Sequence, residues 1–197
     1  MKANPVRFTA KLEGPVATLF RSLGGAGRKT VNEGAAAEMF ALVRGHLRTE
    51  AAKRHRAATA LGATPTGHLE KAAQSVSPEA AENEASVTVN SPGITRAFHA
   101  LDIRPRAARS LTIPVHAFAY GRRAAEAARG LEGGLFRPKG KSYLMGRVEG
   151  TPTVLYLLRS HVRQAQDRSL LPSDGEIAAA AARGACRAIL DAIGGAA

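Results

Sequence analysis

Residues 103–121 read IRPRAARSLTIPVHAFAYG, and within them Leu111, Ile113 and Val115 alternate with other side chains. An apolar alternation with a period of two residues is typical of a β-strand that buries one face. Pro114 has no N–H to donate to a neighbouring strand, so the strand is expected at the edge of a sheet or at its end. The stretch predicts an edge strand whose apolar face packs a core or meets another subunit.

Basic residues surround this predicted strand. Arginines precede it, and further arginines and two lysines follow it before the next predicted strand. We predict that these side chains form an interface with another subunit or partner: Arg104, Arg106, Arg109, Arg122, Arg123, Arg137 and Lys139.

The composition indicates one domain of ordinary size with a strongly basic surface. The chain has 197 residues, of which 45% are hydrophobic and only 5% aromatic, and its formal charge is +12. Such a charge attracts polyanions, which include nucleic acid, acidic protein rings and anionic membranes. A well-solvated basic surface without a partner accounts for the same charge, and both interpretations stay open.

The first part of the chain predicts one strand and two helices. Alternating residues predict a strand over 6–12, and an apolar stripe predicts a long helix over 35–61. A second helix begins at Pro65 and ends at Ser77-Pro78. Residues 79–85 are acidic and rich in alanine, which predicts a connector.

The middle of the chain predicts an antiparallel sheet. Residues 86–90 and 94–100 flank Ser-Pro-Gly and are interpreted as a hairpin. Two more strands are predicted over 142–148 and 153–162, joined by a turn at residues 149–152.

A last helix begins at a capping box, in which Ser173 and Glu176 satisfy each other's backbone N–H groups. The whole chain is therefore predicted to be a single α+β domain over residues 1–197. Residues 1–65 supply the N-terminal strand and helices, and residues 66–197 supply the antiparallel sheet and the C-terminal helix.

The sequence predicts no catalytic, cofactor-binding or metal-binding residues, and so no enzyme. Residues 24–30, GGAGRKT, lack the glycine spacing and the preceding strand of a phosphate-binding loop. They are interpreted as a flexible basic loop that could still touch phosphates. The six histidines are scattered, and Cys186 lies among alanines, where a small buried thiol is expected. No apolar run predicts a signal peptide or a membrane span, so a soluble protein made in a cytoplasm is expected.

Residues 93–126, GITRAFHALDIRPRAARSLTIPVHAFAYGRRAAE, resemble the phage virion morphogenesis family. Members of that family are tail-completion proteins of tailed phages and prophages. Supporting pieces are residues 66–69 at the start of a helix, the strand over 154–162, and residues 166–172 before the last helix. Together these short motifs span residues 66–190, and their order makes the resemblance specific.

The resemblance implies a structural virion protein without enzymatic activity. Such a protein terminates the tail tube and prepares it for head–tail joining, as a homo-oligomeric, hexameric ring at the tail end or neck. The implied partners are the tail tube protein and the neck or connector proteins, with assembly in the host bacterial cytoplasm and no membrane. Non-specific contact with DNA stays open. The alternative function is a basic, sequence-independent nucleic-acid-binding protein.

Overall fold

The structure is a computed structural model that describes residues 5–10, 18, 20, 22–54 and 56–194. Over these residues the protein is α+β, with helices near the start, antiparallel sheets in the middle and a helix at the end, as the sequence predicts. The described helices are α1 (Gly25–Lys53), α2 (Arg56–Ala60), α3 (His68–Gln74), α4 (Ala124–Arg129) and α5 (Asp174–Gly194). The described strands are β1 (Val6–Ala10), β2 (Val76–Ala80), β3 (Ala85–Val89), β4 (Leu101–Ile103), β5 (Leu111–Pro114), β6 (Tyr143–Val148), β7 (Thr151–Arg159) and β8 (Val162–Gln164).

The chain divides into two compact units. The first unit comprises Met1–Ala52, His68–His99 and Gln166–Ala197, and the second comprises Lys53–Gly67 and Ala100–Ala165. Each unit has a hydrophobic core of its own. The expectation of a single domain stays a prediction.

The first unit is built on a three-stranded antiparallel sheet in the order β1-β3-β2. Val87 and Val89 of the central strand have no exposed surface. Helix α1 adds an apolar stripe that recurs every four residues, close to the 3.6-residue helical repeat. The residues of this stripe are at most 2% exposed: Val31, Ala35, Met39, Val43 and Leu47.

Helices α1 and α5 contact each other through two glycines. A Cβ added to Gly34 would lie 2.6 Å from the carbonyl oxygen of Gly184, and one added to Gly184 would overlap the carbonyl group of Gly34. Beside this contact, Arg187 donates to a carboxylate oxygen of Glu38 at 2.6 Å. The two backbones can therefore approach this closely only because neither position carries a side chain.

The N-terminal end of α1 differs from the flexible basic loop predicted at residues 24–30. Helix α1 begins at Gly25, and Arg28 forms an ion pair with Glu82 in the turn between β2 and β3. Asn32, only 4% exposed, donates from Nδ2 to the carbonyl oxygens of Ala81 and Glu82 at 2.7 and 3.1 Å. The prediction failed because Arg28 and Asn32 contact a turn about fifty residues away in the chain. These contacts stabilise a helix where the glycines alone would favour a flexible loop.

The capping box of α5 is confirmed. The N–H of Glu176 donates to the Ser173 hydroxyl at 3.3 Å, and a carboxylate oxygen of Glu176 accepts from the Ser173 N–H and hydroxyl at 2.8 and 2.7 Å. These hydrogen bonds favour the ionised carboxylate, so they lower the pKa of Glu176 from its ordinary value of 4.5. The side-chain bond from Ser173 is the larger cause.

The lowered pKa of Glu176 makes this cap pH-dependent. Because the pKa is lower in the folded protein, the ionised cap stabilises the fold above pH 4.5 and loses this effect as the pH falls through the folded pKa. We expect Glu176→Gln to be less stable than the wild type at neutral pH, and the difference to shrink below pH 4.5. Urea unfolding followed by circular dichroism at a series of pH values measures this. A pH-independent difference would contradict an ionised cap.

The second unit contains a two-stranded sheet, β4-β8, and a three-stranded sheet in the order β5-β7-β6. All of its strand pairs are antiparallel, and β5 is an edge strand, as its proline predicts. Strands β6 and β7 form a hairpin in which Val148 pairs with Thr151. Its two-residue loop has positive φ at Glu149 (52°) and Gly150 (79°), the backbone of a type I′ turn. The predicted turn at 149–152 is therefore shorter by two residues.

Tyr156 is the largest fully buried side chain of the second unit. It packs in a core with Leu155, Ala119 and Ala127. Its hydroxyl is shared between the carbonyl oxygens of Ala119 at 3.3 Å and Arg122 at 3.1 Å. Burial raises the pKa of Tyr156 above its ordinary value of 10.0, so the hydroxyl keeps its proton and remains a donor.

Two strand predictions are wrong. The expected hairpin of residues 86–100 does not form, because β3 pairs with β1 and β2 while Ile94–Ala97 is a 3₁₀ turn. Residues 77–80, predicted as the end of a helix and a connector, lie in β2. At Pro78, pairing within the sheet overrides the turn-forming tendency of proline. Pro92 does lie in a turn, but that turn leads into the 3₁₀ segment rather than into a second strand of a hairpin.

Helix and burial predictions need correction as well. The long helix extends over Gly25–Lys53 rather than 35–61. Leu111, Ile113 and Val115 are partly exposed, and Leu155 and Tyr156 of the neighbouring strand form the core instead. Cys186, predicted to be buried, is exposed because it lies on the outer face of α5. The predicted strand over 6–12 is confirmed for Val6–Ala10, and its last two residues lie outside the described residues.

Candidate interaction surface

The net charge of the chain is concentrated in the second unit. This unit holds 15 of the 28 Lys and Arg residues but only 4 of the 16 Asp and Glu residues, a formal charge of +11. The first unit holds the other 13 basic and 12 acidic residues, a formal charge of +1. The basic character that the composition indicates therefore belongs to one unit.

The seven predicted interface residues all lie in the second unit and are all exposed. They occupy three separate segments. Arg104, Arg106 and Arg109 lie between β4 and β5, and Arg122 and Arg123 lie just before α4. Arg137 and Lys139 lie in the turn before β6.

Local contacts orient the residues next to α4. The Arg122 guanidinium lies over the Phe118 ring, 4.5 Å from its centroid, which is a cation–π arrangement. The Arg122 carbonyl accepts from buried Tyr156. The Arg123 N–H donates to a carboxylate oxygen of Glu126 at 3.0 Å. The backbone of Arg122 is thus fixed by a hydrogen bond from the core of the second unit, and the backbone of Arg123 by the first turn of α4.

The turn that leads into β6 is ordered by its own backbone. Arg137 donates from Nε to the carbonyl oxygen of Lys141 at 2.7 Å, and Phe136 pairs with Met145 of β6 in an isolated β-bridge. The Phe136 side chain is 46% exposed. This segment presents a cationic and an aromatic side chain side by side.

Strand pairing brings three further basic residues next to the segment between β4 and β5. Ile103 of β4 pairs with Val162 of β8, and Leu111 of β5 pairs with Arg159 of β7. Between these two pairs, the chain makes a seven-residue connection from β4 to β5, residues 104–110, and a two-residue connection from β7 to β8, residues 160–161. We name the basic side chains at this irregularity the arginine bulge: Arg104, Arg106, Arg109, Arg159, His161 and Arg163.

The arginine bulge is exposed, and little negative charge lies near it. Asp102 accepts from Nε of Arg104 at 3.0 Å and pairs in register with Arg163. Within the part of the chain that the structure describes, no carboxylate lies within salt-bridge distance of Arg106, Arg109, Arg159 or Arg163. Arg104, His161 and Arg163 line a surface depression of about 360 Å³ together with Leu101 and Asp102. The bulge therefore presents mostly unpaired guanidinium groups to a ligand.

Arg159, His161 and Arg163 are not among the interface residues that the sequence predicts. They alternate with a period of two, which in an exposed strand places them on one face. This alternation could have identified the three residues as exposed. It could not have shown that they lie near Arg104, which is more than fifty residues away in the sequence. Their proximity to Arg104 depends on the pairing of β4 with β8 and of β5 with β7.

Among residues 5–10, 18, 20, 22–54 and 56–194, no group of three or more His, Cys, Asp or Glu side chains could hold a metal ion. In the same residues, no helix is long and apolar enough to cross a membrane. Comparison of the chain with protein-family models, with curated proteins and with solved structures finds no match.

Proposed function

We propose that the protein is a structural subunit of the tail end or neck of a tailed phage or prophage. In this role it terminates the tail tube and prepares it for joining to the head, without enzymatic activity. The ordered motifs of residues 93–126 carry the proposal through their resemblance to the phage virion morphogenesis family. Its partners are further copies of itself, the tail tube protein and the neck proteins.

The edge of the β5-β7-β6 sheet suits a contact between subunits. Strand β5 pairs with β7 on one side, and no other described strand pairs with it. Leu111 and Ile113 are partly exposed there. An unpaired strand edge offers backbone N–H and C=O groups to another chain. In a closed ring, this edge on each subunit would meet a different surface of the next one.

The mass of the protein in solution tests the ring. We expect light scattering to give a multiple of 20.6 kDa, six copies for a hexamer, and electron microscopy to show closed rings. A lysine on an edge strand disfavours pairing with another chain, so Thr112→Lys should shift the population to monomers if β5 is the contact. A protein that stays monomeric at high concentration would contradict the ring.

The role in the particle has its own test. A phage that lacks the gene should accumulate separate heads and tails, since the tail end would not be ready for joining. Normal infectious particles from such a deletion would refute the proposal.

A sequence-independent nucleic-acid-binding protein is the second candidate function. The formal charge of +11 on the second unit favours it, because phosphate contacts by Lys and Arg dominate non-specific affinity for nucleic acid.

A further inference from the structure

We propose that the arginine bulge is a binding site for the phosphate backbone of double-stranded nucleic acid. The proposal deepens the second candidate function, since it names the surface and the ligand, and it does not depend on ring formation. It rests on three features of the bulge: the chemistry of its cations, the size of the side chains between them and the scarcity of nearby carboxylates.

The charged side chains of the bulge are all arginines. A guanidinium group is planar and offers its N–H donors in a fork that matches two phosphate oxygens. Asp102 occupies only Nε of Arg104, so the two terminal nitrogens of that side chain stay available. Arg104 and Arg163 line the same depression, where one phosphate group could accept from both.

The residues between the arginines are mostly small. They are Pro105, Ala107, Ala108, Ser110 and Ser160, with His161 and half-buried Val162 between Arg159 and Arg163. Protein–protein interfaces usually contain an aromatic or large apolar anchor at their centre, whereas the exposed apolar side chain here, Ile103, lies before the first arginine. Single-stranded nucleic acid is usually held by bases stacked on several aromatic side chains, and these segments contain no Phe, Tyr or Trp. These features favour a duplex backbone over an acidic protein or a single strand.

The arrangement predicts affinity without sequence preference. Phosphate contacts carry no base information, so we expect no preference between duplexes of different sequence. If all five arginines contact phosphates, the slope of log K against log salt should be about −4.5. Affinity would then fall about 500-fold between about 50 and about 200 mM salt.

The experiment is fluorescence anisotropy with the full chain and two labelled DNA duplexes of unrelated sequence. The variants Arg106→Gln/Arg109→Gln and Arg159→Gln/Arg163→Gln each remove two charges from the bulge. The control Arg168→Gln/Arg183→Gln removes two exposed charges from the first unit, and circular dichroism checks that every variant is folded. Poly-glutamate serves as a competitor that represents an acidic protein.

We expect the wild type to bind both duplexes equally. Each bulge variant should bind at least about 10-fold more weakly with a salt slope shallower by about 2, and the control should change little. Equal losses in the control and the bulge variants would place the binding elsewhere and overturn the site, while leaving the second candidate function standing. No duplex binding at low salt would refute both. Poly-glutamate that competes as strongly as duplex DNA would overturn the choice of nucleic acid in favour of an acidic protein.

Discussion

Replacing Gly184 by alanine is expected to destabilise the first unit by about 3 kcal/mol, the upper end of the usual range for an overpacked contact. The added Cβ would overlap the carbonyl group of Gly34 and lie 2.9 Å from a side-chain carbon of Glu38. A Cβ is fixed to the backbone and cannot rotate away, so α1 and α5 would have to separate. Their separation would also weaken the 2.6 Å hydrogen bond between Arg187 and Glu38 and the packing of Ala181 and Ala185.

Urea unfolding followed by far-ultraviolet circular dichroism measures this effect, since the two longest described helices, α1 and α5, meet at the substituted site. Gly45→Ala is the matched control, because Gly45 lies in α1 with nothing within 4 Å of an added Cβ. It should stabilise the protein by about 0.5 to 1 kcal/mol, since alanine favours helix more than glycine does. Gly34→Ala should behave like Gly184→Ala. Wild-type stability of both variants would show that the two helices do not touch at these glycines.

Replacing Tyr156 by alanine is expected to destabilise the second unit by about 3 to 5 kcal/mol. The ring has no exposed surface, so its removal leaves a cavity among Leu155, Ala119 and Ala127. The same change removes the hydroxyl that donates to Ala119 and Arg122. Tyr156→Phe keeps the ring and should cost only about 1 kcal/mol, the contribution of a typical hydrogen bond.

The tyrosines provide a specific signal for this experiment. The chain has 3 tyrosines and no tryptophan, and Tyr120, Tyr143 and Tyr156 all belong to the second unit. Near-ultraviolet circular dichroism of the two remaining tyrosines therefore reports the unfolding of this unit. Tyr143→Phe is the control, since Tyr143 is partly exposed, and it should change stability by less than about 0.5 kcal/mol. If Tyr156→Ala lowered the free energy of unfolding no more than Tyr156→Phe does, the ring would not contribute to the packing of the core.

Features that depend on neighbouring residues were predictable from the sequence. The cap formed by Ser173 and Glu176 lies within one helical turn, and the proline of β5 marks an edge strand whatever its partner is. The turn at Glu149-Gly150 was found but predicted too long, because the residues after it also suit a turn. These features, and with them the α+β class, follow from local backbone preferences.

Features that depend on contacts between distant segments of the chain were not predictable from the sequence. The hairpin predicted for residues 86–100 was plausible locally, yet β3 buries its valines better between β1 and β2. The glycines at the start of α1 suggested a loop, but Arg28 and Asn32 contact the turn between β2 and β3 and the segment is helical. Local propensity is weaker than the burial and hydrogen bonding that a tertiary contact supplies.

The basic interaction surface also combines features that the sequence predicts with features that depend on contacts between distant segments. The sequence by itself determined the basic composition, the edge strand and the seven exposed basic residues chosen as an interface, because charge and alternation can be seen along the chain. Only the tertiary structure decided that the excess charge belongs to the second unit and that Arg159, His161 and Arg163 adjoin Arg104. Which segments pair depends on the complementarity of faces and hydrogen-bonding edges far apart in the chain, and no local pattern encodes that choice.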